Sequence, residues 1–202
     1  MARTRANDYD DKRDAILRGS AAAFAERGVD RASMSQIAAE CGVSKALLYH
    51  YYQNKEELVF DIIRGHLEVL DEALARVEEE SAADGADADE RLRRLVHCVL
   101  DHYRDSDDLH KVQLTGMATL PEDKAEVIRD VERAIVRRFA ATLRAVNPAL
   151  SGERPYLMPV TMSLFGMMNW VYMWFRPDGP ISREEYADLA TQLILTGAKS
   201  VR

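Results

Sequence analysis

The sequence predicts an all-α fold, and three observations carry that expectation. Apolar residues recur at helical spacing, as in Leu58, Ile62, Leu67, Leu70, Leu74 and Val77. The stretches between are punctuated by helix stops and caps, among them Gly42, Gly85, Asn147-Pro148 and Arg176-Pro-Asp-Gly-Pro180. No segment shows the strict apolar–polar alternation of a half-buried strand, and no repeat or low-complexity tract appears.

Nine helices are expected. The first runs from about Asp11 to Arg27, with acidic residues near its start, where the helix dipole favours them. Ser33 or Ser35 caps a short second helix by accepting from an orphaned backbone N–H. Ile37, Ala38 and Cys41 share its inward face. Gly42 stops it, because glycine tolerates the left-handed conformation of such a stop, and Val43 plugs the turn. Ser44 caps the third helix, Lys45 to Tyr52, in which Leu48 and Tyr52 point inward.

The fourth helix runs from Lys55 to about Glu80, and 81–87 is a loop. The fifth spans about Ala88 to Arg104, with Leu92, Leu95, Val96, Val99 and Tyr103 inward. The sixth covers Asp107 to Thr119, and Pro121 opens a seventh that reaches Val146. The eighth spans about Arg154 to Phe175. Ser182 with Glu185 forms a capping box for the ninth, which ends near Ser200.

Residues 33–58 have the layout of a helix-turn-helix, which places its second helix in the DNA major groove. Lys45 and Tyr49 fall where phosphates are met, and Ala46, Leu47 and His50 near base edges. Ser33, Ser35, Ser44 and Lys55 complete the candidate DNA-facing set, and Arg3 with Arg5 suits an arm reaching the minor groove.

These residues resemble a known family. Ile37-Ala38, Gly42-Val43-Ser44-Lys45, Leu48-Tyr49-His50-Tyr51-Tyr52 and Lys55-Glu56-Glu57-Leu58 look like the DNA-binding domain of TetR/AcrR-type transcriptional regulators. Upstream, Ile16, Ala23-Phe24 and Gly28 match that family's first helix. Cys41, Leu47 and Tyr52 depart from its usual alanine, threonine and phenylalanine. The resemblance implies a DNA-binding domain over 1–54 and a ligand-binding and dimerisation domain over 55–202. It further implies a homodimer whose last two helices pair as a four-helix bundle on a palindromic double-stranded DNA operator.

Charge is distributed to suit that reading. The chain carries a net charge of -7, yet residues 1–55 sum to +2 and the remainder to -9. An acidic body and a near-neutral head predict modest non-specific DNA binding and reliance on dimer symmetry. Two cysteines, Cys41 and Cys98, make no disulfide framework and suit a reduced, cytoplasmic protein. The opening residues are polar and basic rather than signal-like. Tyr156 to Phe175 has the length of a membrane span, but Pro159, Thr161, Ser163, Gly166 and Asn169 interrupt it, so burial between subunits is expected and no membrane partner.

For the body, Gly166, Trp174, Tyr186, Leu189, Leu193 and Gly197 are the candidate dimer residues. Tyr103, Met117, Met162, Phe165, Asn169, Trp170 and Met173 are the candidate effector pocket, methionine being adaptable and Asn169 needing a partner. The runs Met158 to Trp170 and Trp174 to Pro180 resemble regulators of fatty-acid, steroid-ring and phenylacetate breakdown. That implies an acyl- or aryl-coenzyme A effector, for which Arg133 and Arg137, in a stripe with Arg129, are candidate phosphate-binding cations, as are Arg104 and Lys111. The alternative is a multidrug-type sensor of free hydrophobic compounds. A different class, a metal-dependent enzyme or metal sensor, rests only on Cys98 and His102 at i, i+4, two ligands where such sites use three or four. No phosphate loop, dinucleotide fingerprint or nucleophile elbow appears, so neither enzyme nor cofactor is expected.

Overall fold

A computed structural model describes residues 2–104 and 106–201, with side chains at 2–8, 10 and 11 excluded. The side chains of Arg3 and Arg5 thus lie outside the described residues. The described chain is helical throughout: α1 (Ala2–Arg27), α2 (Met34–Glu40), α3 (Lys45–Tyr51), α4 (Lys55–Ala83), α5 (Ala88–His102), α6 (Asp107–Gly116), α7 (Glu122–Val146), α8 (Leu157–Asn169), α9 (Val171–Trp174) and α10 (Arg183–Ser200). Since α9 is a single turn following α8, the nine expected helices are all present among the described residues.

Two boundaries differ from expectation by more than a helical turn, and several others by a few residues. The backbone of α1 is helical from Ala2 rather than Asp11. The eighth helix, expected to run unbroken to Phe175, stops at Asn169: Trp170 caps it and α9 restarts at Val171. Apolar composition continues through the break with neither glycine nor proline at Trp170, so nothing local announces it. No described helix is long and apolar enough to cross a membrane.

The chain divides into two compact units, residues 1–68 with 106–130 and residues 69–105 with 131–202. In the first, Ile16, Phe24, Ile37, Leu48, Leu58 and Ile63 are buried. Burial of such side chains contributes roughly 1.5–3 kcal/mol each. The α1–α2 packing is close: a β-carbon on Gly19 would stand 2.8 Å from Cys41 Sγ. In the second unit, α5 lies against α10, with Leu92, Leu95, Val99, Phe139, Leu164, Met168 and Ala190 buried. Asn147 fastens the end of α10 by donating Nδ2 to the Ala198 and Val201 carbonyls at 2.8 and 2.9 Å.

Candidate nucleic-acid interface and effector site

The reading head is assembled by local chemistry. Ser33 Oγ accepts from Gln36 N–H while the Gln36 side chain returns to the Ser33 N–H, a full capping box on α2. Ser33 rather than Ser35 is therefore the cap, and the sequence reading missed Gln36. Gly42 takes φ +63°, and Val43 N–H reaches back to the Ala38 carbonyl at 2.9 Å, closing the turn. Ser44 Oγ accepts from Leu47 N–H at 3.1 Å and starts α3. Leu48 and Tyr52 are buried, which fixes the orientation of the helix.

That orientation leaves Lys45, Ala46, Tyr49 and His50 exposed on one side of α3, and Leu47 half-buried. Lys45 Nζ stands 5.8 Å from the Tyr49 ring centre, so a cation and a phenol occupy the same edge. Ser33, Ser35 and Ser44 are also exposed. Lys55 is different. Its ammonium donates to the carbonyls of Val29 at 2.6 Å, Asp30 at 3.1 Å and Ala32 at 3.3 Å. Those bonds direct its charge to the loop after α1, so a phosphate contact by Lys55 would be shared with these carbonyls. The sequence reading also missed an aromatic stack: Tyr9 lies on Tyr51 with centroids 4.6 Å apart, and His50 meets Tyr51 edge-on at 5.7 Å. The one available clue was Tyr9, a lone aromatic in a polar segment.

Of the candidate pocket residues, the second unit buries Tyr103 and Phe165 and half-buries Asn169. Tyr103 is buried and its hydroxyl donates to Asn169 Oδ1 at 3.1 Å. Burial, and secondarily the charge of Glu132, pushes the Tyr103 hydroxyl above its ordinary pKa, so it remains a donor. Phe165 packs edge-on against Phe139 at 5.0 Å. Met117 is half-buried in the other unit.

The remaining candidates are not gathered into a pocket. Met162, Trp170 and Met173 are 51%, 57% and 62% exposed. The helical period explains the first of these. Thr161, Leu164, Phe165 and Met168 take the inner face of α8, which leaves Met158, Met162 and Gly166 outside. Arg133 and Arg137 are exposed on α7, and Arg129 pairs with Glu122 and Glu126, so the stripe is a solvated, partly ion-paired face.

The candidate dimer residues Gly166, Trp174, Leu189, Leu193 and Gly197 are exposed as expected. Tyr186 is instead buried, its hydroxyl donating to the Met167 carbonyl at 3.0 Å and its ring meeting Trp174 edge-on at 4.9 Å. Eight of the twelve exposed large apolar side chains among the described residues lie between Tyr156 and Leu193. Apolar exposure is thus concentrated on α8–α10, in the manner of an interaction face. No group of three or more His, Cys, Asp or Glu side chains among the described residues is arranged to hold a metal.

Comparisons with known proteins agree with this geometry. The model of the bacterial regulatory proteins of the tetR family matches residues 16–62, over the helix-turn-helix. The tetracyclin repressor-like C-terminal domain matches residues 85–198. The HTH-type transcriptional repressor KstR2 of Rhodococcus jostii is 34% identical over 193 residues, covering 94% of this chain and 92% of that protein. A TetR-family transcriptional regulator from Bordetella parapertussis superimposes with a TM-score of 0.84 at 33% identity, over 91% of this chain and 93% of the other. AibR, solved in complex with isovaleryl coenzyme A and operator DNA, gives a TM-score of 0.77 at 29% identity, over 90% of this chain and 97% of its own. With both halves matched, and a reading helix whose inner face is buried and outer face polar, the chain belongs to the TetR family of bacterial transcriptional regulators.

Proposed function

We infer that the protein is a cytoplasmic, homodimeric repressor that leaves a palindromic operator when it binds an acyl- or aryl-coenzyme A thioester. One observation carries the DNA reading: α3 buries Leu48 and Tyr52 and turns Lys45, Ala46, Tyr49 and His50 to solvent. Those four, with half-buried Leu47, are the base- and phosphate-facing group. Two such helices related by a two-fold axis meet half-sites one or more DNA turns apart, roughly 34–36 Å per turn. The exposed apolar rows of α8 and α10 supply the two-fold contact.

The effector class is supported by the similarity to AibR, whose structure holds isovaleryl coenzyme A with operator DNA. Within the chain, Tyr103 and Asn169 are the polar pair that an acyl or aryl group would meet among buried apolar side chains. Release of DNA requires that the effector bind one conformation better than the other; a useful switch takes about 1–3 kcal/mol of such coupling. The test is a thermal-shift screen of thioesters against uncharged hydrophobic compounds, followed by gel shift on the promoter region. Stabilisation by thioesters together with loss of the DNA complex is the expected result. Binding of uncharged hydrophobes alone points to a multidrug-type sensor, and absence of any specific DNA site overturns the regulator reading.

A further inference from the structure

Three rings form a row on the reading head, and only His50 belongs to the group already placed against DNA. Tyr9 of α1 stacks on Tyr51, the last residue of α3, with centroids 4.6 Å and planes 28° apart. Tyr51 in turn meets His50 at 5.7 Å, with the planes at 83°. These are the stacked and edge-to-face arrangements that aromatic quadrupoles favour.

The core does not account for Tyr9. The buried face of α1 is made by Ile16, Ser20, Ala23 and Phe24, whereas Tyr9 is 46% exposed. It stands about two helical turns before Ile16, the first of those buried residues. Its neighbours in sequence, Asn7-Asp8 and Asp10-Asp11-Lys12, are polar or charged, so no apolar stripe requires a ring at this position.

His50 is exposed, and an exposed side chain samples several staggered rotamers. Reading a base edge needs one of them, because a ring nitrogen must meet the groove atom at hydrogen-bond distance and angle. A neighbouring ring that limits those rotamers before DNA arrives lowers the ordering cost of binding. Tyr51 is half-buried at the end of its helix, and the stack with Tyr9 holds its ring in place.

We propose that Tyr9 is a positioning residue for base selection: stacked on Tyr51, it fixes the ring against which His50 rests and sharpens the choice at the base pair His50 reads. Tyr9 acts through two side chains and touches no base itself. The proposal rests on the reading of His50 as a base-facing side chain. Ordering one such side chain corresponds to about two- to tenfold in binding, felt at one position of each half-site and not at the others.

Selection of the full-length protein on a library of random DNA duplexes, followed by competition binding on the selected duplex and its single-base variants, tests this. His50→Ala identifies the position that His50 reads. Tyr9→Ala should lower discrimination at that same position by about two- to tenfold, leave discrimination elsewhere unchanged, and add nothing further in a His50→Ala background. Tyr9→Phe keeps the stack and should keep the preference. Equal weakening at every sequence by Tyr9→Ala marks a merely structural clasp and overturns the proposal. So does a Tyr9→Phe protein as impaired as Tyr9→Ala, because the phenol would then touch DNA directly. Where Tyr9→Ala fails to fold, Tyr9→Leu keeps apolar bulk without a ring, and unchanged discrimination in that variant also overturns it. The underlying readings fail separately: no selected motif removes specific DNA binding, and a motif unaltered by His50→Ala removes the role of His50 and this proposal with it.

Discussion

The Lys55 ammonium stands 2.6 Å from the Val29 carbonyl, so the first residue of α4 is tied to the loop that ends α1. Replacing it by glutamine leaves three carbonyls short of a charged donor, and stability should fall by about 1–3 kcal/mol. Operator affinity should fall with the folded fraction, while the slope of log affinity against log salt stays unchanged. Lys45→Ala should do the reverse: stability is kept and the slope drops by about one unit. Salt titrations by fluorescence anisotropy separate the two lysines.

Gly19 is predicted to be fixed by Cys41. An alanine there would place its β-carbon 2.8 Å from the sulfur, a clash in a closely packed contact of α1 with α2. Such overpacking costs typically about 1–3 kcal/mol. Gly19→Ala should lower the melting temperature, and Cys41→Ala in the same chain should restore most of the loss. Additive losses in the double mutant would show that the sulfur is not the obstacle.

Leu193 is 56% exposed in the single chain, so a charge there should not disturb the protomer's own fold. Leu193→Glu is expected to keep the helical circular dichroism of the parent and to shift the species seen by light scattering from dimer to monomer. Operator binding should weaken with it, because two linked heads give way to one. A dimer of unchanged mass would move the two-fold contact away from α8–α10.

Glu90 supplies a pH dependence of defined sign. Hydrogen bonds from Arg93, then Arg94, hold its carboxyl at a pKa of about 2 against an ordinary 4.5. A depressed folded-state pKa means the stabilisation is complete above the ordinary value and is lost as pH falls towards 2. The group is partly exposed and screened, so the effect is under about 1 kcal/mol. The melting-temperature gap between the parent and Glu90→Gln should be constant from pH 5 to 7 and close below pH 4.5.

What the sequence disclosed divides by the range of the interaction. Caps and turns join residues a few positions apart, so Ser44, Gly42 and the Ser182–Glu185 box were readable one by one. The inward face of α3 was readable because polar and apolar residues alternate around it with helical period. In α8 they do not: a helix apolar on nearly all sides carries no mark of which side meets the core. Met162 was therefore placed with the pocket, whereas it faces out. The carbonyl partners of Lys55 were hidden for a related reason: they lie more than twenty positions back in the chain.

The reading helix α3 is seven residues long. A free peptide of that length has almost no helical population, since even favourable sequences need about 12–15 residues. Its shape is thus on loan from the side chains beneath it, Leu48 and Tyr52 above all. A genetic screen for lost regulation would consequently recover truncations at these two buried sites as readily as changes to Lys45 or His50. Only a parallel measure of how much folded protein each variant leaves in the cell would tell damaged letters from a damaged page.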